Sequence, residues 1–179
     1  MNGHDPGGAA TWENRGCRPY ARRTSTHDAG LSPDAVTSDP IRRAGQEAAS
    51  FFRSPEANKP AAAARAIADT EFLAANVPVG PRWRSSSPTA ITQLAQARNQ
   101  GRAALDIPAS APAQGVIDGL LAAAAALDVD RRPGVARALP RSIFRAGPNT
   151  TVQRLSQPPR IRSVGPALAG LYGGSAGGR

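Results

Sequence analysis

Between residues 40 and 130, apolar residues return every three or four positions in four separate runs, and proline stands at or near the ends of each. That spacing puts side chains on one face of an α-helix. The first run opens with Asp39-Pro40. A capping residue is followed by proline at the first helical position, where the missing N–H has no helical partner to lose. Ile41, Ala44, Ala48, Phe51 and Phe52 form its face, and Ser54-Pro55 closes it. Pro60 opens the second run, with Ala64, Ile67, Ala68, Phe72 and Ala75 on one side and Asn76 as a C-terminal cap ahead of Pro78. Ser87-Pro88 repeats the cap-and-proline start. Ile91, Leu94, Ala95, Arg98 and Leu105 follow, with Gly101 weakening the middle and Ile107-Pro108 ending the run. The fourth, Pro112 to Val129, carries one apolar stripe of Ile117, Leu120, Leu121, Ala124 and Leu127.

Helices of this length with short links predict a small bundle. Most faces offer alanine where a bundle uses leucine. The expectation is therefore loose, Ala-rich helices, or a core completed by a protein partner or by self-association through residues 112–129. Gly115 and Gly119 give that last run a GxxxG spacing, which lets two helix backbones approach closely.

The flanks read differently. Residues 1–39 sustain no apolar period and are rich in Gly, Pro, Ser, Thr and Asp, the composition of a disordered tail. Residues 131–179 hold six prolines and eight glycines. Val135, Leu139 and Ile143 are four apart, as are Arg137, Arg141 and Arg145. On a helix these would be adjacent apolar and basic stripes, interrupted at Pro140. From Gly147 onward the sequence reads as a flexible arm that builds no core. The fold class expected is a mostly disordered chain with an all-α segment: a tail at 1–39, helices at 40–130 and an arm at 131–179. Composition agrees, since Leu, Ile, Val and Phe number 30 of 179 residues, below the roughly 20% at which a strongly charged chain is read as disordered.

Charge sharpens the partition. Residues 1–130 hold 13 basic and 13 acidic residues and sum to zero, whereas residues 131–179 hold nine arginines and no acid, the entire net charge of +9. Such asymmetry points to a polyanionic partner. The candidate binding residues are Arg131, Arg132, Arg137, Arg141, Arg145, Arg154, Arg160 and Arg162. The preference for arginine over lysine, 21 to one, carries less weight. Ala, Gly, Pro and Arg all have GC-rich codons and make up 92 residues.

Little in the chain suggests catalysis. Cys17 is the one cysteine, which excludes an intrachain disulfide and Cys-rich zinc modules. His4 and His27 have no second ligand at metal spacing. Ser25, His27 and Asp28 have the residue types of a nucleophile triad but no rigid scaffold to fix them. The "ARRTST" stretch around Ser25 fits a basic-directed kinase site. Asp128 and Asp130 form a D-x-D triplet without the α/β pattern that would use it, and read as a helix end. Trp83, between Arg82 and Arg84, suits either base stacking or the edge of a helical core. No catalytic residue, metal site or cofactor is expected.

The N-terminus has no apolar h-region, so no signal peptide is expected and the default compartment is cytoplasmic. The longest apolar run, at 115–129, is 15 residues and includes Asp118; a membrane-spanning helix needs about 20. The function expected is non-enzymatic binding, a basic C-terminal arm holding nucleic acid or another anionic surface without sequence specificity. Two alternatives stand beside it: an interaction or secreted adaptor whose helices fold on a partner, and a lineage-specific product with no defined role.

Overall fold

The Asp39 carboxylate accepts a hydrogen bond from the Ile41 N–H at 3.0 Å and starts the first helix at Pro40. The computed structural model describes residues 39–80, 83 and 86–173. The expected N-terminal tail, with His4, Cys17, Ser25 and His27, lies outside the described residues, as do Arg82, Arg84 and residues 174–179.

Among the described residues there are seven helices and no strand: α1 (Pro40–Arg53), α2 (Pro60–Asn76), α3 (Pro88–Leu105), α4 (Ala113–Asp128), α5 (Arg132–Ala138), α6 (Pro148–Ser156) and α7 (Val164–Gly173). The first four occupy the four apolar runs. Their ends follow the punctuation in the sequence, with proline at the start of α1, α2 and α3. Asn76 is the last helical residue of α2 rather than its cap, and its side-chain amide donates to the Phe72 carbonyl at 2.8 Å. The helix α3 stops at Asp106, which takes a left-handed conformation (φ 58°) just before Ile107-Pro108. No helix among the described residues is long and apolar enough to cross a membrane.

Helix α2 is the hub, packing against α1, α3, α4 and α6. Its Ala63, Ala64, Ala66 and Ala68 are buried, as are Ile67 and Leu73. The alanines expected to leave the helices loose instead let backbones come close. The area they fail to fill is supplied by the last quarter of the chain.

That last quarter is where the sequence expectation is corrected. Residues 131–173 are not a coreless arm. Val135, Leu139, Phe144, Leu155, Val164 and Leu168 are all buried in the same core as the front helices. The physical reason is that the apolar residues arrive in short bursts between prolines, each enough for two or three helical turns. Two backbone hydrogen bonds tie this part to the front: Asn58 N–H to the Ser156 carbonyl at 2.8 Å, and Arg145 N–H to the Asp106 carbonyl at 3.2 Å.

The order of contacts shows how it wraps. Helix α5 turns back along α4, so that Gly134 meets Ala126 while Phe144 meets Gly119 and Ile143 meets Gly115. The GxxxG face is therefore covered by the chain's own 134–144 segment. Helix α7 runs back along α3, with Ile161 at Gly101 and Gly170 at Ala90, and its Tyr172 phenol occupies the space above Gly45 of α1.

Candidate functional site

The eight candidate arginines lie on α5, α6 and the segments around them. Arg131 and Arg132 open α5, Arg137 lies in its last turn, and Arg141 and Arg145 follow in the turns beyond. Arg154 is in the last turn of α6, and Arg160 and Arg162 are in the link to α7. All are exposed except Arg154, which is half-buried and donates from one guanidinium nitrogen to the Ala104 carbonyl at 3.2 Å.

The expected basic stripe of Arg137, Arg141 and Arg145 does not form. Helix α5 ends at Ala138, because Pro140 has no N–H to continue it. A fresh turn begins there, with the N–H groups of Ile143 and Phe144 both donating to the Pro140 carbonyl. That turn drives Phe144 inward. Arg141 is left with its guanidinium beside Gly147, whose φ of 80° and lack of a side chain leave the room. Val135, Leu139 and Phe144 are spent in the core, so they form no apolar face to lay on a lipid surface.

None of the eight arginines is in a salt bridge among the described residues, whereas four arginines of the front half are. Arg43 pairs with Glu47, Arg65 with Asp128, and Arg98 and Arg102 with Glu71. The front thus neutralises much of its own charge, and the rear, which contains no acid, reaches none across the fold. Its larger apolar side chains go inward while its arginines, apart from the half-buried Arg154, stay in solvent.

Two grooves adjoin α1. One, of about 830 Å³, lies between α1 and α7; its lining includes Phe52, Arg53, Arg162, Leu168 and Tyr172. A second, of about 540 Å³, lies between α1 and α2 and is of mixed charge, with Glu47, Glu56, Lys59, Arg65 and Asp69 on its walls. Burial, reinforced by the nearby Glu47 carboxylate and opposed by Arg43 and Arg65, pushes the Asp69 carboxyl up to about 7. Its Oδ2 is buried without a hydrogen-bond partner. This carboxyl can hold a proton near neutrality; Ser50, Ser54 and Lys59 also line the groove, and among the described residues none of them is hydrogen-bonded to it.

Trp83 stacks edge-on against Tyr172 at a centroid distance of 5.9 Å and packs on the core. Asp128 and Asp130 sit at the end of α4, Asp128 bound to Arg65 and Asp130 in a left-handed turn. Sequence reasoning missed Glu71 and Arg102, buried opposite one another, because an isolated charge on a helix reads as solvated. Comparison of the chain with protein-family models, with curated proteins and with solved structures gives no match in any of the three.

Proposed function

We propose that this is a non-enzymatic, helical binding protein that holds the backbone of a nucleic acid without sequence preference, through the arginines carried on its α5 to α7 surface. The observation that carries this reading is the contrast in pairing. Arg43, Arg65, Arg98 and Arg102 each face a carboxylate within the molecule, while Arg131, Arg132, Arg137, Arg141 and Arg145 stand exposed on one segment with no acid partner. A guanidinium in that state pays little desolvation when it meets a phosphate, and each contact releases a counterion condensed on the polyanion.

The interaction-adaptor reading has less to support it. Large apolar residues exposed among those described are Val79, Leu121 and Val129, which make no helix-long face.

The test is a binding titration of the full chain against a mixed-sequence duplex across salt concentrations. If the five arginines of residues 131–145 each meet a phosphate, affinity falls several-hundred-fold between roughly 50 and 200 mM salt, from a slope of about −0.9 per contact. Binding that ignores salt, or that discriminates strongly between sequences, removes this reading.

A further inference from the structure

The groove beside α7 is one-sided in both charge and polarity. Its main part, about 830 Å³, is of a size that holds small molecules. A smaller extension of about 340 Å³ joins it through Phe52, Ile161 and Arg162. Arg53 and Arg162 line the main part and Arg160 the extension; no acidic residue lines either. All three guanidinium groups are without an ion pair among the described residues, and all three residues are exposed. Away from them the groove follows α7, where Val164 and Leu168 are buried at its floor and Tyr172 stands at its end. From Val164 to Tyr172 is about 12 Å at 1.5 Å per residue.

Polar partners are scarce along that floor. The Tyr172 hydroxyl is the neutral side-chain donor there, and it is directed at the Ile41 carbonyl, 3.3 Å away. A nucleobase buried in the groove would lose the hydrogen bonds of its edges and find none to replace them, a loss of about 1–3 kcal/mol per group. An alkyl chain loses nothing polar and gains from burial. A bilayer surface does not reach side chains at the bottom of a concave groove, whereas a single chain can lie in it.

We propose that the groove binds one free anionic amphiphile, a carboxylate or phosphate ester on an alkyl chain, with its head among Arg53, Arg160 and Arg162 and its tail along α7. The site goes beyond nucleic-acid binding and does not depend on it. It uses none of the five arginines at residues 131–145.

The experiment is equilibrium dialysis of the full chain against dodecanoate below its micelle concentration, with circular dichroism to confirm that each variant is folded. The expected result is one saturable site per chain. The double variant R160S/R162S, at two exposed positions, lowers the affinity roughly tenfold or more by removing charge-assisted contacts. The variant G165L fills the groove from a position where an added Cβ meets nothing within 4 Å, and removes binding. A neutral glycoside of the same chain length binds much more weakly than dodecanoate. The proposal is overturned if the wild type shows no saturable site, if the neutral amphiphile binds equally well, or if the folded variants bind as the wild type does. It is also overturned if the protein sediments with phosphatidylglycerol vesicles but takes up no monomeric dodecanoate. Should G165L fail to fold, the arginine pair decides alone.

Discussion

Glu71 on α2 and Arg102 on α3 face each other in the core with 2% and 3% of their surfaces exposed. The guanidinium grips both carboxylate oxygens, Nε donating to Oε2 at 3.0 Å and one terminal nitrogen to Oε1. Its other terminal nitrogen donates to the Pro108 and Ala109 carbonyls at 3.1 and 2.8 Å, and Arg98 adds a second cation to Glu71 at 2.7 Å. One arginine thus fixes the α2–α3 interface and the start of the link to α4. Glu71→Gln leaves Arg102 buried without its counter-charge, so the expected loss is about 3–5 kcal/mol, measurable by urea unfolding. A loss below about 1 kcal/mol would mean that water reaches the pair.

Asp69 gives a pH dependence with a definite sign. Burial raises its carboxyl to about 7 in the folded chain, against an ordinary value of 3.8. The folded state therefore binds more protons than the unfolded one between these values, and this residue's contribution to stability falls as pH rises through that window. Asp69→Asn removes the effect. Wild type and variant should unfold alike near pH 4, and the variant should be the more stable at pH 8, in paired thermal melts. The opposite order at pH 8 would place the carboxylate in an ion pair instead.

Glycines at two helix positions are predicted to respond unequally to alanine. An added Cβ at Gly119 would lie 2.9 Å from the Ala138 carbonyl and 2.8 Å from the Phe144 ring. The overlap with backbone outweighs the gain in helix propensity, and G119A is expected to destabilise by about 1–3 kcal/mol. At Gly165 the space is open, but Pro166 follows and disfavours a helical conformation for a residue with a Cβ, so G165A should change the stability by less than about 1 kcal/mol. Melting temperatures that move together would refute the close seating of α5 on α4.

The rear arginines divide into free and structural ones. Substituting serine at both Arg132 and Arg141, exposed and without a hydrogen bond to the chain, should leave the melting temperature unchanged and reduce the salt slope of nucleic-acid binding by about two contacts' worth. Arg154→Ser loses the bond to the Ala104 carbonyl and should cost about 1 kcal/mol. Deleting residues 131–179 is a poor test of binding, because it strips Leu139, Phe144 and Leu155 from the core.

Phe144 offers the corresponding test of the core. It is completely buried at the α4–α5 contact, and Phe144→Ala is expected to cost about 3–5 kcal/mol. Unfolding of all seven helices should shift together, as a single transition in circular dichroism. Two transitions would mean that the rear folds apart from the front.

The front half of this fold was legible in the sequence because proline marks its boundaries. Asp39-Pro40, Pro60 and Ser87-Pro88 locate three helix starts within a residue. The rear was not legible, because α5, α6 and α7 span only 7, 9 and 10 residues. Runs that short do not sustain a period, and high proline and glycine content reads as a flexible arm. Glu71 and Arg102 were hidden for a related reason, since pairing at a distance of 31 residues leaves no local trace. Of the candidate site, the absence of acids after Asp130 foretold unpaired arginines, but not that α5 would end before Arg141 and break their common stripe.

The Tyr172 phenol, near the end of α7, donates to the carbonyl of Ile41 near the start of α1 at 3.3 Å. The helical circuit therefore closes where it opened, with the last turn of α7 against the first turn of α1. A peptide joining residue 173 to residue 39 should permit a circular permutant whose new ends fall in the exposed link at Glu56 and Ala57. Such a chain would read its helices in a different order and arrive at the same packing.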